Sequence, residues 1–146
     1  MDDVVLVLGA TATWTMVGVI WFVQVVHYPL LGTIGADRSA EVGARHQTLT
    51  SFVVGPPMAV EGVTTLVLLA AAPEGVAPVL PWVAAVLLAV ALGATVALLV
   101  PRHRRMLDAP GPEVGAGLVA TNWVRTVAWS GRGVLLAVML LQALAA

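Results

Sequence analysis

Cysteine is absent from the 146 residues, which removes disulfides, thiolate metal sites, iron–sulfur clusters and cysteine nucleophiles together. Lysine is absent too. All seven basic residues are Arg38, Arg45, Arg102, Arg104, Arg105, Arg125 and Arg132, so a Schiff-base chromophore is excluded. Charge of either sign is scarce, at 10% of the chain against about 25% in a soluble domain. Hydrophobic residues make up 60%, with a mean hydropathy of +0.97. Such a chain cannot clothe a soluble surface, and the lipid bilayer is its expected partner. The formal net charge is −1, and no basic stripe alternates with aromatics, which argues against nucleic acid.

What is present is apolar sequence in blocks. A bilayer core takes about 20 predominantly apolar residues per helix. Four stretches qualify, at about 4–26, 51–72, 79–100 and 120–144. The acidic start, Met1-Asp2-Asp3, lacks the positive region of a signal peptide, so the first stretch reads as a retained span. The links "GTIGADRSAEVGARHQ", "PEGVAP" and "PRHRRMLDAPGPE" are polar or rich in breakers. Pro110-Gly111-Pro112 punctuates the third, and Glu113 suits the positive end of the helix that follows. The expectation is a single all-α domain over 1–146, a four-helix transmembrane bundle running up-down-up-down. Arg38 and Arg45 lie in the first link and Arg102, Arg104 and Arg105 in the third; the termini and the second link have no basic residue. The positive-inside rule then puts the first and third links in the cytoplasm and both termini outside, in a bacterial plasma (inner) membrane.

That topology gathers the only three histidines on one face. His27 closes the first span, His46 precedes the second and His103 follows the third. Helix ends in a bundle lie within about 10 Å of their neighbours. Three neutral imidazoles hold divalent transition metals such as Fe, Cu or Zn and leave positions open for substrate. Interfacial histidines also cap helix ends or meet headgroups, which is the plainer reading. Ionisable groups in membrane segments are usually functional, and this favours a metal cluster.

The fourth span carries "TNWVRTVAWSGR". Its Asn122, Arg125, Trp129 and Arg132 are spaced three, four and three residues apart and share one helical face. An arginine facing lipid is costly, so this face is expected to point inward. Trp123 lies off the stripe, as an interfacial anchor does. Glu61 is the one acid inside a span. Counted from the outer ends it lies about 17 Å deep and Arg132 about 21 Å deep, which suggests a buried ion pair. A straight helix would hold Glu61 about 22 Å from His46; only a break at Gly55-Pro56-Pro57 would make it a fourth ligand. Gln24 sits one turn inside His27 and is expected on its face, as a ligand contact or imidazole-orienting group. Tyr28 offers a hydroxyl. Pro29 and Pro101 are expected to end their helices beside His27 and His103. Thr11, Thr13 and Thr15 are expected to bond back to their own helix.

"VPRHRRM" followed by "TNWVRTVAW" resembles small four-helix membrane proteins that include the anthrone oxygenases. In that group a proline-containing end of the third helix precedes a fourth helix with an Asn-x-x-Arg-Thr pattern, matched here by Asn122, Arg125 and Thr126. His103 stands where an Asn is expected, and "HYPL" matches the first-helix end loosely. The resemblance covers about a third of the chain and implies oxygenation of a hydrophobic polycyclic or quinol-like substrate.

The leading expectation is therefore a metal-dependent membrane oxidoreductase acting on a hydrophobic aromatic or quinol-like small molecule. His27, His46 and His103 would bind the metal. Gln24, Tyr28, Asn122 and Trp129 would hold substrate, and Glu61, Arg125 and Arg132 would carry proton and charge. The alternative is a non-catalytic haem- or quinone-binding protein or accessory subunit, with paired histidines as haem ligands. A homo-oligomer is compatible with either.

Overall fold

The computed structural model of the chain describes residues 2–108 and 112–146. They form four helical rods with no strand among the described residues. The first rod is α1 (Asp2–Phe22), a π-helical turn π1 (Val23–His27) and α2 (Tyr28–Leu31). The second is α3 (Ala36–Ala70). The third is α4 (Val79–Ala94), a second π turn π2 (Thr95–Leu99) and α5 (Val100–Asp108), and the fourth is α6 (Pro112–Leu144). All four are long and apolar enough to cross a bilayer. Large apolar side chains such as Phe52, Leu66, Val96 and Leu141 stand on the outer surface, as lipid contact requires.

Three core layers follow one another along the rods. At one end Leu6, Ala10, Leu68, Leu136 and Met139 pack together. Met16, Val17, Ile20, Ala91, Ala128 and Trp129 form the middle layer. Val23, Tyr28, Leu31, Leu99 and Leu118 form the other end.

Every rod begins or ends beyond the expected span, and for the first and third the prolines show why. Pro29 and Pro101 end nothing. Tyr28 keeps helical angles (φ −67°, ψ −41°), and the chain turns on to Leu31. A proline inside a helix lacks its N–H and presses on the carbonyl four residues earlier. Here each proline stands two residues beyond a π turn, Pro29 after Val23–His27 and Pro101 after Thr95–Leu99. The wider i→i+5 turn takes up the misfit and lets the helix continue. The same widening moves the returning face from i+3 toward i+4 and i+5. Tyr28, and not His27, therefore shares the buried face of Gln24, correcting the expected register.

The first link is also shorter than its polarity suggested. Only Gly32–Gly35 lie outside helix, and α3 starts at Ala36 with Asp37 in its first turn. Polar residues 36–47 include good helix formers (Ala, Glu, Arg, Gln), and they extend α3 to 35 residues, about 52 Å. His46 thus lies within this helix, not before it. Pro56 and Pro57 lie inside α3 without breaking it, so Glu61 stays about 22 Å along the rod from His46 and is no fourth ligand.

The fourth rod starts early, with Pro112 at its first helical position, where the missing N–H costs nothing. The punctuation at Pro110-Gly111 and the Glu113 side chain lie outside the described residues. In the second link Gly75 takes φ +76°, and a Cβ there would meet Ala146 Cβ at 2.5 Å. Gln142 Oε1 accepts from Ala77 N at 3.0 Å, tying this hairpin to the end of α6. At the opposite end Gly32 and Gly115 let the first and fourth rods touch: a Cβ on Gly115 would sit 2.6 Å from Gly32 Cα. That close approach sets α6 against Gln24 and Tyr28.

Candidate functional site

The polar residues sort into two clusters with Trp129 between them. The deeper one surrounds Glu61, which is fully buried. Its Oε1 accepts from Thr13 Oγ1 at 2.7 Å and Arg132 Nε at 3.3 Å, and its Oε2 accepts from Trp129 Nε1 at 3.0 Å. Arg132 also donates to Ala84 O (2.8 Å), Thr65 Oγ1 (2.8 Å) and Thr13 Oγ1 (3.2 Å). It is the only ion pair among the described residues. Depth matching anticipated the pair. Thr13 was expected to bond back to its helix and instead bridges to Glu61, while Thr11 and Thr15 do bond back. Each side-chain nitrogen and oxygen of Glu61 and Arg132 has a partner within this cluster, which ties the helices together.

The second cluster stands at the level of the two π turns. His27 Nε2 and His46 Nδ1 are 2.9 Å apart, and Thr50 Oγ1 is 3.0 Å from the same His46 nitrogen. The His46 ring stacks on that of His103 with centroids 5.3 Å apart, and Tyr28 meets His103 edge-on at 5.5 Å. The three histidines are thus neighbours, as the topology implied. They do not surround a common point: among the described residues no group of three or more His, Cys, Asp or Glu is arranged to hold a metal ion. His103 Nδ1 lies 2.8 Å from Leu99 O. A carbonyl only accepts, so Nδ1 carries hydrogen, and in the neutral ring Nε2 is left as a bare acceptor. That Nε2 is buried and has no partner.

Arg125 comes to this cluster from α6. Its Nη1 donates to Asn122 Oδ1 at 3.2 Å, and its guanidinium lies beside Tyr28 and 5.1 Å over the Trp129 ring. Asn122 Nδ2 donates to Gln24 Oε1 (2.9 Å), which also accepts from Thr126 (3.3 Å), while Gln24 Nε2 donates to Val119 O (3.1 Å). Gln24 and Asn122 are therefore fixed to each other and hold Arg125 in place. They bind the first rod to the fourth. Arg125 is only 7% exposed, and no carboxylate pairs with it among the described residues. Cation–π contact offsets part of the cost, about 2 kcal/mol when desolvated.

Between these groups lies a cavity of about 180 Å³. Its polar wall is Tyr28, His46, Gln47, Thr50, His103 and Arg125, and its other wall is aliphatic, with Val19, Ile20, Val54 and Leu99. Among the described residues three buried polar atoms have no partner, namely Gln47 Nε2, His103 Nε2 and Arg125 Nε, and all three residues line this one cavity. Gln47 and Thr50 were missed from the sequence. The signal for Thr50 was its place one helical turn beyond His46, and it was hidden by reading that segment as a link. Of the residues proposed from sequence, the cavity gathers Tyr28, His46, His103 and Arg125. His27 lies on an adjoining groove, and Gln24, Asn122, Trp129, Glu61 and Arg132 stand behind the wall or apart.

The fold so far defines a helical bundle with a polar-headed cavity set in apolar surroundings. No protein-family model, no curated protein and no solved structure matches the chain.

Proposed function

We propose that the chain is an integral membrane oxidoreductase whose cavity receives the polar head of a hydrophobic, quinol-like small molecule. The observation that carries this reading is the convergence of three unpartnered buried atoms on one cavity. Each such atom costs about 1–3 kcal/mol until it is met. Two are donors and one is an acceptor, which suits a ring edge bearing carbonyl and hydroxyl oxygens. Arg125 stabilises negative charge that develops on such an oxygen, and His103 Nε2 takes its proton. Oxidation of a quinol releases two protons and two electrons, and dioxygen taking up both becomes peroxide.

A metal-dependent form has its own observation. Two imidazole nitrogens bound at right angles to one ion at about 2.05 Å would stand about 2.9 Å apart, as His27 and His46 do. His103 does not share that point, so two imidazoles alone would hold such an ion. A divalent Fe or Cu ion there would supply the redox centre. The haem alternative asks for two nitrogens about 4 Å apart across a porphyrin plane, wider than this pair. We further place the rods in an up-down-up-down order, which the alternation of residues through the three core layers supports, and put both termini outside because the first and third links carry the arginines.

The test is turnover in lipid nanodiscs, following quinol absorbance and oxygen uptake with a benzoquinol. Arg125→Gln should abolish binding and turnover. Wild-type protein that neither binds nor oxidises the benzoquinol overturns the proposal, and full turnover by metal-free protein rejects the metal alone.

A further inference from the structure

The cavity at Arg125 is small. About 150 Å³ holds one benzene ring, so about 180 Å³ takes a single-ring head and little more. Small-molecule sites usually span about 300–1,000 Å³. The missing room lies next door. A groove of about 350 Å³ between α1 and α3 is lined by apolar side chains apart from His27, His46 and Thr50. It shares five lining residues with the inner cavity: Val19, Val23, His46, Thr50 and Val54. Its outer rim is Phe22 and Val53, each 58% exposed on the lipid-facing surface.

We propose that this groove is the tail subsite of the same ligand, which is therefore a one-ring head bearing a long aliphatic or isoprenoid chain and not a compact polycycle. The proposal rests on the functional reading above for its head group. The head sits against Arg125, His103 and Gln47; the chain leaves past His46 and Thr50 and runs out between the first and second rods into lipid. Continuity supports this occupant, since the two spaces are divided only by side chains that belong to both. Gly18 supports it too. It lines the groove, and a Cβ built on it meets nothing within 4 Å, so the floor is open where a chain would lie. The His27–His46 hydrogen bond stands at the junction, where an arriving chain would pass it.

The experiment uses two probes on the full chain in nanodiscs: a substituted benzoquinone carrying a ten-carbon chain, and the same ring without it. Gly18→Phe fills the groove without touching the inner cavity, and Val53→Trp narrows its lipid edge from an exposed position. Both variants should bind the tailless ring as wild type does and lose about tenfold or more in affinity for the tailed one. Arg125→Gln should lose both probes. Wild-type affinity of both variants for the tailed probe, or an equal loss for both probes, overturns the tail subsite while leaving the head site standing. Failure of wild type to bind either ring overturns the functional reading itself, and the subsite with it.

Discussion

Replacing Glu61 by Gln tests whether the deep cluster is a true buried charge pair. The amide keeps one accepting oxygen but turns the other into a donor, facing either Trp129 Nε1 or the Thr13 and Arg132 donors. It also strips the opposing charge from Arg132, which is 1% exposed. Three magnitudes compete. Polar contacts between membrane helices average about 0.6 and reach about 1.7 kcal/mol, because the unfolded chain in the membrane also finds partners. An arginine alone at mid-bilayer costs about 2.5–3.5 kcal/mol on insertion scales. A buried pair robbed of one member loses about 3–5 kcal/mol. Arg132 keeps its bonds to Thr65 and Ala84 O, which places the expected loss near the bottom of the last range, about 3 kcal/mol. Thr13→Val, which removes a hydrogen bond and no charge, should cost about 1 kcal/mol. Arg132→Met bares Glu61 and should cost as much as Glu61→Gln, and the double variant should recover about 1–2 kcal/mol of the summed loss. Unfolding in mixed micelles with rising SDS, followed by helical circular dichroism, measures all four. A Glu61→Gln protein within about 0.5 kcal/mol of wild type, or a strictly additive double variant, refutes the reasoning.

Other outcomes follow from the second cluster. Arg125→Lys should restore little of the benzoquinone binding lost in Arg125→Gln, because an ammonium cannot reach Asn122 and the ligand while stacking on Trp129; isothermal titration decides it. His103→Phe keeps the ring volume but removes the free acceptor, so affinity for a quinol should fall about tenfold and that for the corresponding dimethyl ether should not. Copper titration of the metal-free protein should show one site per chain, weakened about tenfold or more in either His27→Ala or His46→Ala. Absence of saturable binding would dismiss the metal.

Much of the candidate site was legible because charge is so rare in this chain. Arg125 and Arg132 face inward at the expected spacing, the depth count paired Glu61 with Arg132, and span order brought three histidines to one end. What stayed hidden has a common physical origin. Proline and polarity read as chain breaks, yet π turns absorb Pro29 and Pro101, and the polar stretch before His46 is helical. Misplacing that boundary concealed Gln47 and Thr50. Assuming an α register put Gln24 beside His27, whereas it pairs with Asn122 and Thr126 on the fourth rod. Residue types alone also cannot tell which polar groups tie helices together, as Gln24, Asn122 and Trp129 do through bonds between rods.

Trp129 gives the bundle a built-in optical gauge. One edge of its indole is pinned by Glu61 and its face carries the Arg125 guanidinium. A guest that draws the guanidinium toward itself uncovers the ring without releasing the edge. The emission of one tryptophan would then register occupancy from within the protein, provided the other four are silenced by substitution with Phe.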